Sequence, residues 1–84
     1  MSRAWQYVVH QRVVEFMDGL RPGDRRSLRN AMLDLVAHPW QDPAAEMRPA
    51  NDRAYYVKEL EGFRIVYWLD VYVKEVCIVR MDRT

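Results

Sequence analysis

The side chains most able to do chemistry in this 84-residue chain are cations set among aromatic residues in its second half. Arg64 lies in the apolar segment Phe63–Leu69. Burying a guanidinium there costs free energy, so its presence suggests that the charge has a function. We expect the second half of the chain to form a sheet, and the face that carries Arg64 to hold further cations and aromatic rings. These are Lys58, Arg80, Tyr56 and Trp68, with Arg83 just past the last strand. Such a surface is one physical solution for binding a phosphate backbone and stacking bases.

The same side chains also have a purely structural interpretation. Exposed Lys and Arg residues on strands commonly pair with carboxylates across the ladder, and each pair contributes little to stability. The available carboxylates are Glu59, Glu61, Asp70 and Glu75. Tyr56 and Trp68 would then be packing residues rather than a stacking platform. The pattern of residues leaves both interpretations open.

Alternating apolar and polar residues predict the strands that position these groups. The predicted strands are Tyr55–Leu60, Phe63–Leu69 and Lys74–Met81, with turns at Glu61-Gly62 and Asp70–Val73. We expect one face to be buried, formed by Tyr55, Val57, Phe63, Ile65, Tyr67, Leu69, Cys77, Val79 and Met81. The opposite face would be open and would hold Tyr56, Lys58, Arg64, Val66, Trp68, Val76, Ile78 and Arg80.

The first half of the chain predicts one strand followed by a helical hairpin. A strand is expected at Trp5–Val9, then a short helix with Val13, Val14, Met17 and Leu20 on one face. Asp24 is the expected N-cap of a second helix, whose apolar face is Leu28, Ala31, Met32, Leu35 and Val36 and which ends at His38-Pro39. We interpret residues 40–53 as an ordered connection over the sheet edge. The predicted class is α+β, in the order β-α-α-β-β-β, with one mainly antiparallel sheet and the helices on one face.

Composition limits the possible functions. Residues 1–84 are expected to form a single domain, and 13 Lys and Arg against 12 Asp and Glu leave a net charge of +1. Cys77 is the sole cysteine, and no segment reaches transmembrane length, so a soluble cytoplasmic protein is expected. No spacing of Cys and His suggests a metal, no glycine-rich loop suggests a nucleotide, and no cofactor is expected. His38 is expected to interact with the end of its helix.

Two segments carry a family resemblance. Leu60–Tyr67, with the sequence LEGFRIVY, and Val76–Arg83, with the sequence VCIVRMDR, resemble the RelE/ParE superfamily, toxins of bacterial type II toxin–antitoxin systems. The resemblance extends over nearly the whole chain, and the match is closest at Phe63–Tyr67. It implies the fold predicted above and a cognate antitoxin protein as partner.

The resemblance also implies an activity and residues for it. RelE-like members cleave mRNA on the ribosome without a metal, through 2′-OH attack on the adjacent phosphate. Arg64 matches the arginine that stabilises the transition state, Arg83 matches the arginine after the last strand, and Lys58 matches a lysine that could act as the general base. Arg80, Tyr56 and Trp68 would bind the RNA.

The resemblance leaves two other activities open. ParE-like members have the same fold but inhibit DNA gyrase and cleave nothing, and a member that has lost catalysis would only bind. A net charge of +1 is low for binding ribosomal RNA, and Thr84 is the last residue, where RelE-like nucleases often carry a tail with a tyrosine or histidine. Both features favour a non-nucleolytic member. The matched arginine and lysine positions favour RNA cleavage.

Overall fold

Within residues 4–40, 45–47 and 53–84, which the computed structural model describes, the chain forms two helices and a five-stranded sheet. The elements are β1 Gln6–Val9, α1 Gln11–Asp18, α2 Pro22–Ala37, β2 Ala45–Met47, β3 Tyr55–Leu60, β4 Phe63–Asp70 and β5 Glu75–Arg83. The predicted α+β class and the helical hairpin are confirmed. Neither helix is long and apolar enough to cross a membrane.

The strand order β1-β5-β4-β3-β2 joins the two ends of the chain in the sheet. β1 pairs with β5 in parallel, and the other neighbouring strands pair antiparallel. The parallel pair brings the start of α1 beside the middle of β5. The short strand β2 lies on the other edge, within residues 40–53, which we predicted to be an ordered connection over the sheet edge and to which we assigned no strand. Residues 41–44 and 48–52 of that connection lie outside the described residues.

The turn between β3 and β4 fixes which residues face the helices. Glu61 and Gly62 both have positive φ, at 55° and 81°, as a two-residue hairpin turn of type I′ requires. Leu60 and Phe63 are therefore direct partners across the ladder. Because directly opposite residues share a face, every residue of β3 takes its face from its partner on β4.

The helices cover one face of the sheet and form the core with it. The buried core comprises Val13, Leu20, Leu28, Ala31, Met32, Leu35, Phe63, Ile65, Tyr67, Val76, Ile78 and Met81. The predicted apolar face of α2 is thus confirmed, whereas Val14 of α1 is exposed. The predicted N-cap of α2 was wrong, because the helix begins at Pro22 with Arg21 as its N-cap. Proline has the φ of a first helical residue, and Asp24 lies in the first turn, where a carboxylate offsets the helix dipole.

A β-bulge in β5 changes which side chains point outward. Val66 of β4 pairs with Arg80, whereas the next residue, Tyr67, pairs with Ile78, so Val79 is the extra residue. Residues before the bulge are therefore in the opposite phase to our prediction. Val76 and Ile78 lie in the core, and Cys77 and Val79 belong to the open face, with Val79 lining the cleft described below. Arg80 and Met81, which come after the extra residue, lie on the predicted faces.

Candidate functional site: a cationic cleft on the open face of the sheet

A cleft of about 440 Å³ lies on the sheet face opposite the helices. Its lining residues are His10, Arg12, Tyr55, Val57, Arg64, Val66, Val79, Arg80 and Asp82. They come from β3, β4, β5 and the junction between β1 and α1. The cleft is therefore lined by residues from the β1–α1 junction, from the β3–β4 hairpin and from β5, the last strand.

Three valines from adjacent strands give the cleft an apolar part. Val57 and Val66 are direct partners on β3 and β4, and each is only 8% exposed although neither belongs to the helix-side core. Val79, the extra residue of the bulge, lies beside them on β5. A flat apolar group such as a nucleobase could lie against this surface.

Arg64 is on the open face, as predicted, and it is held by a carboxylate. Its Nη2 and Nε atoms lie 3.2 and 3.3 Å from Glu59 Oε1, and Glu59 is its direct partner on β3. The two side chains are 47% and 51% exposed, so water screens the pair. The guanidinium is therefore oriented by Glu59 but remains accessible to a stronger anion.

Arg80 lies beside Arg64 on the neighbouring strand. Arg80 pairs with Val66 in the ladder and Arg64 pairs with Asp82, so the two arginines are diagonal neighbours. Arg80 Nε donates to Asp82 Oδ2 at 2.9 Å, and both side chains are well exposed. The prediction that the two arginines share the open face is confirmed.

His10 and Arg12 complete the cleft, and sequence reasoning missed both. His10 is the N-cap of α1, and its Nδ1 accepts a hydrogen bond from the Arg12 backbone N–H at 3.1 Å. The His10 backbone N–H donates to the Ile78 carbonyl at 3.0 Å, which places it beside the bulge of β5. No local signal in the sequence identifies them, because only the pairing of the first strand with the last brings them into the cleft.

Tyr56 and Lys58 lie on the helix side of the sheet, so their predicted placement beside Arg64 was wrong. Tyr56 pairs with Tyr67 and Lys58 pairs with Ile65, and both partners are buried in the core. The Tyr56 and Tyr67 ring centroids lie 5.8 Å apart. The pKa of Tyr67 is raised above its usual value, mainly because its side chain is buried and secondarily because of its electrostatic interaction with Tyr56. The two-residue turn is the reason, because it puts the odd-numbered residues of β3 on the face of Arg64.

Tyr55 therefore lines the cleft in the place predicted for Tyr56, and Val57 takes the place predicted for Lys58. Our prediction had assigned both Tyr55 and Val57 to the core. The exchange replaces a predicted lysine with an apolar side chain, so the cations of the cleft are arginines.

Arg83 was expected just past the last strand, on the open face, but β5 extends to include it. Its direct partner is the buried Phe63, so it belongs to the helix side of the ladder. Its Nη2 donates to Asp24 Oδ2 at 2.9 Å, and its guanidinium lies 5.2 Å from the Phe63 ring centroid. The catalytic roles assigned to Lys58, Arg64 and Arg83 stay predictions, and of these three residues only Arg64 lines the cleft.

Trp68 lies farther along the open face, as predicted. It pairs with Cys77, and the Arg53 guanidinium stacks over its ring at 3.8 Å from the centroid. Burial raises the pKa of the Cys77 thiol, and the negative charges of Glu75 and Asp70 raise it further. A further cation and a further aromatic ring therefore lie on the same face of the sheet, outside the cleft lining.

Among the described residues, the cleft is lined by three arginines, one histidine and one aspartate. Its arginines are Arg12, Arg64 and Arg80, and the carboxylate is Asp82. Guanidinium groups form paired hydrogen bonds with phosphate oxygens. The arrangement suits a phosphorylated, partly apolar ligand, and arginines fixed on strands can stabilise negative charge that develops on a phosphate.

Comparison with known proteins identifies the fold. No protein-family model and no curated protein matches the chain. Among solved structures, it matches the RelBE2 toxin–antitoxin complex of Mycobacterium tuberculosis with a TM-score of 0.79 and 16% identity, over 98% of this chain and 100% of that one. It matches the archaeal RelE–RelB complex of Pyrococcus horikoshii OT3 with a TM-score of 0.76 and 17% identity, over 96% of each chain.

A further match is to a toxin solved without its partner. The isolated RelE toxin of E. coli matches with a TM-score of 0.73 and 19% identity, over 96% of this chain and 85% of that one. The likeness thus extends over nearly the full length of this chain at low identity. The chain has the fold of the RelE toxins, which confirms the fold implied by the resemblance.

Proposed function

We propose that this chain is the toxin of a type II toxin–antitoxin system and stops translation by cleaving mRNA on the ribosome. The observation that carries the proposal is the cleft, which brings Arg64 and Arg80 together on the open face. The fold supports it, because the matched RelE structures are toxins or toxin–antitoxin complexes. The chain would act in the cytoplasm, where mRNA is translated.

The proposed chemistry is attack of an RNA 2′-OH on the adjacent phosphate, which forms a 2′,3′-cyclic phosphate and breaks the bond to the 5′-oxygen of the next nucleotide. Water would accept the 2′-OH proton and would supply a proton to the leaving 5′-oxygen. The attack adds negative charge to the phosphate, and Arg64 and Arg80 would stabilise that charge in the transition state. Since Lys58 lies on the opposite face, the geometry supports charge stabilisation by arginines more than proton abstraction by Lys58. The ribosome would supply positioning of the mRNA, which is itself a large catalytic factor.

The proposed partner is a cognate antitoxin. Two of the matched structures contain a RelE toxin bound to RelB or its equivalent. An acidic segment that folds on binding would neutralise a cationic face through steering and added contacts. Co-expression with the neighbouring gene should yield a stable complex and protect the cells, and recovery of free toxin with unprotected cells would contradict this partner.

Inhibition of DNA gyrase is the second candidate function. The low positive charge of the chain favours this function. The net charge is only +1, and Arg64 and Arg80, the two cleft arginines on strands, already have carboxylate partners. Binding to ribosomal RNA relies on neutralising many phosphates, which a nearly neutral protein does poorly. Under this alternative the cleft would bind protein or DNA without cleaving it.

Pulse labelling in induced cells separates the two functions. Cells expressing the chain would receive labelled methionine and labelled thymidine at short intervals after induction. We expect methionine incorporation to fall first, with the double variant Arg64→Ala/Arg80→Ala as the inactive control. An early fall in thymidine incorporation, with translation continuing, would instead place the chain with the gyrase inhibitors.

A further inference from the structure

His10 is fixed at the edge of the cleft by two backbone hydrogen bonds. Its own N–H donates to the Ile78 carbonyl at 3.0 Å, and its Nδ1 accepts from the Arg12 N–H at 3.1 Å. Ile78 directly precedes the bulge that turns Val79 and Arg80 toward the cleft. The position of the imidazole is therefore tied to the strand segment that presents Arg80.

The hydrogen bond at Nδ1 determines what the other ring nitrogen can do. Because Nδ1 of His10 accepts a hydrogen bond, the neutral imidazole carries its proton on Nε2. A helix N-cap needs one acceptor, which the shorter side chains of Asn, Ser or Asp supply well. The imidazole adds a donor that capping alone does not require, and His10 is one of the residues that line the cleft.

We infer that His10 is a phosphate-binding residue of the cleft, with Nδ1 capping α1 while Nε2–H donates to a non-bridging phosphate oxygen of single-stranded RNA. The inference rests on the proposed function and adds a residue to its site. Arg64 and Arg80 would contact the same stretch of backbone, and a base would lie against the valines. In contrast to the arginines, His10 would contribute a neutral donor.

Two substitutions separate the cap from the phosphate contact. His10→Asn keeps an acceptor that can cap α1, but its shorter side chain no longer places an N–H donor where Nε2 lay, whereas His10→Ala removes both the acceptor and the donor. His38→Asn is the matched control, because His38 is an exposed histidine at the C-cap of α2 and does not line the cleft. Each variant would be compared with the unsubstituted chain by thermal melting.

The binding assay uses a fluorescein-labelled single-stranded RNA of eight nucleotides at several salt concentrations. We expect His10→Asn to weaken binding about tenfold or more with an unchanged melting temperature, as loss of one hydrogen bond to a charged group does. His10→Ala should weaken binding similarly and also lower the melting temperature, and His38→Asn should bind normally. Because a neutral donor releases no counterion, the salt slope of His10→Asn should equal that of the unsubstituted chain.

The outcomes distinguish this inference from the proposed function. If the unsubstituted chain binds RNA and His10→Asn binds equally well, His10 is only a helix cap and the inference is wrong. If the unsubstituted chain shows no salt-dependent RNA binding, the cleft does not bind single-stranded RNA by itself and the inference is wrong, whereas cleavage on the ribosome is tested separately by primer extension. Weakened binding by His38→Asn as well would attribute the effect to histidine loss in general and would also overturn the inference.

Discussion

The pair formed by Arg64 and Glu59 allows one residue to be tested for function separately from stability. Arg64→Ala should lower toxicity at least about tenfold, because loss of about 1.4 kcal/mol of transition-state stabilisation slows a reaction tenfold. The protein should remain folded. The substitution removes an exposed side chain whose partner is also exposed.

The structure sets an upper limit on the cost in stability. Both members of the pair are about half exposed, at 47% and 51%, and the guanidinium makes its contacts with one carboxylate oxygen. Such surface pairs contribute up to about 1 kcal/mol. In a domain of this size, that loss lowers the melting temperature by about 4–8 °C at most.

Glu59→Gln is the matched control, because it breaks the same ion pair and keeps Arg64. If the pair is purely structural, the two variants should lose stability equally and keep the same toxicity. If Arg64 binds phosphate, Glu59→Gln should be as toxic as the unsubstituted chain or more so, since a competing anion has been removed.

The assay combines growth arrest from a titratable promoter with thermal melting of the purified variants. Inducer concentration at half-maximal arrest gives the relative toxicity at matched protein levels. A folded Arg64→Ala variant with full toxicity would remove Arg64 from the site. Equal loss of toxicity in Arg64→Ala and Glu59→Gln would assign the effect to the ion pair and refute the argument.

Three further predictions follow from the placement of other side chains. Lys58→Ala and Arg83→Ala should leave RNA affinity unchanged in the fluorescence assay, since neither residue lines the cleft, and a loss comparable to that of Arg80→Ala would contradict the geometry. Arg83→Ala should lower the melting temperature through loss of its pair with Asp24, and Asp24→Asn should also lower it, since it breaks the same pair. Because the pKa of the Cys77 thiol is raised, less thiolate exists at pH 8.5, and iodoacetamide should react more slowly with the folded chain than with the urea-unfolded chain. Equal rates would show that burial does not protect the thiol.

The sequence carried enough information for the class of fold because the apolar patterns are strong. Alternation over Phe63–Leu69 and the helical spacing from Leu28 to Val36 each identify one buried face, and both were confirmed. The end of α2 at His38-Pro39 was also predictable, since a residue before proline avoids the helical region.

The faces of β3 were predictable but were assigned wrongly. A two-residue turn at Glu61-Gly62 makes Leu60 and Phe63 direct partners, so Lys58 must share the face of the buried Phe63. The apolar pattern of β3 alone led to the reverse assignment of its two faces, because Tyr55 and Tyr56 are adjacent and either could point inward. Register set by the turn is the stronger constraint.

The bulge in β5 could not be predicted from the sequence. Neither Val79 nor Arg80, the residues at the bulge, is a glycine or another turn-forming residue that would indicate an extra residue in the strand. Arg80 was assigned to the open face correctly, although Val76 and Ile78 on the same strand were not. Likewise, the pattern did not show that β1 lies beside β5, which is what brings His10 into the cleft.

The central claim is that the cleft of the open face cleaves mRNA during translation. Primer extension on an mRNA from arrested cells tests this most directly, with a matched transcript whose start codon is removed as the untranslated control. We predict cuts within the coding region of the translated transcript, none in the control, and none in cells that express Arg64→Ala/Arg80→Ala. Intact translated mRNA in cells arrested by the unsubstituted chain would contradict the account.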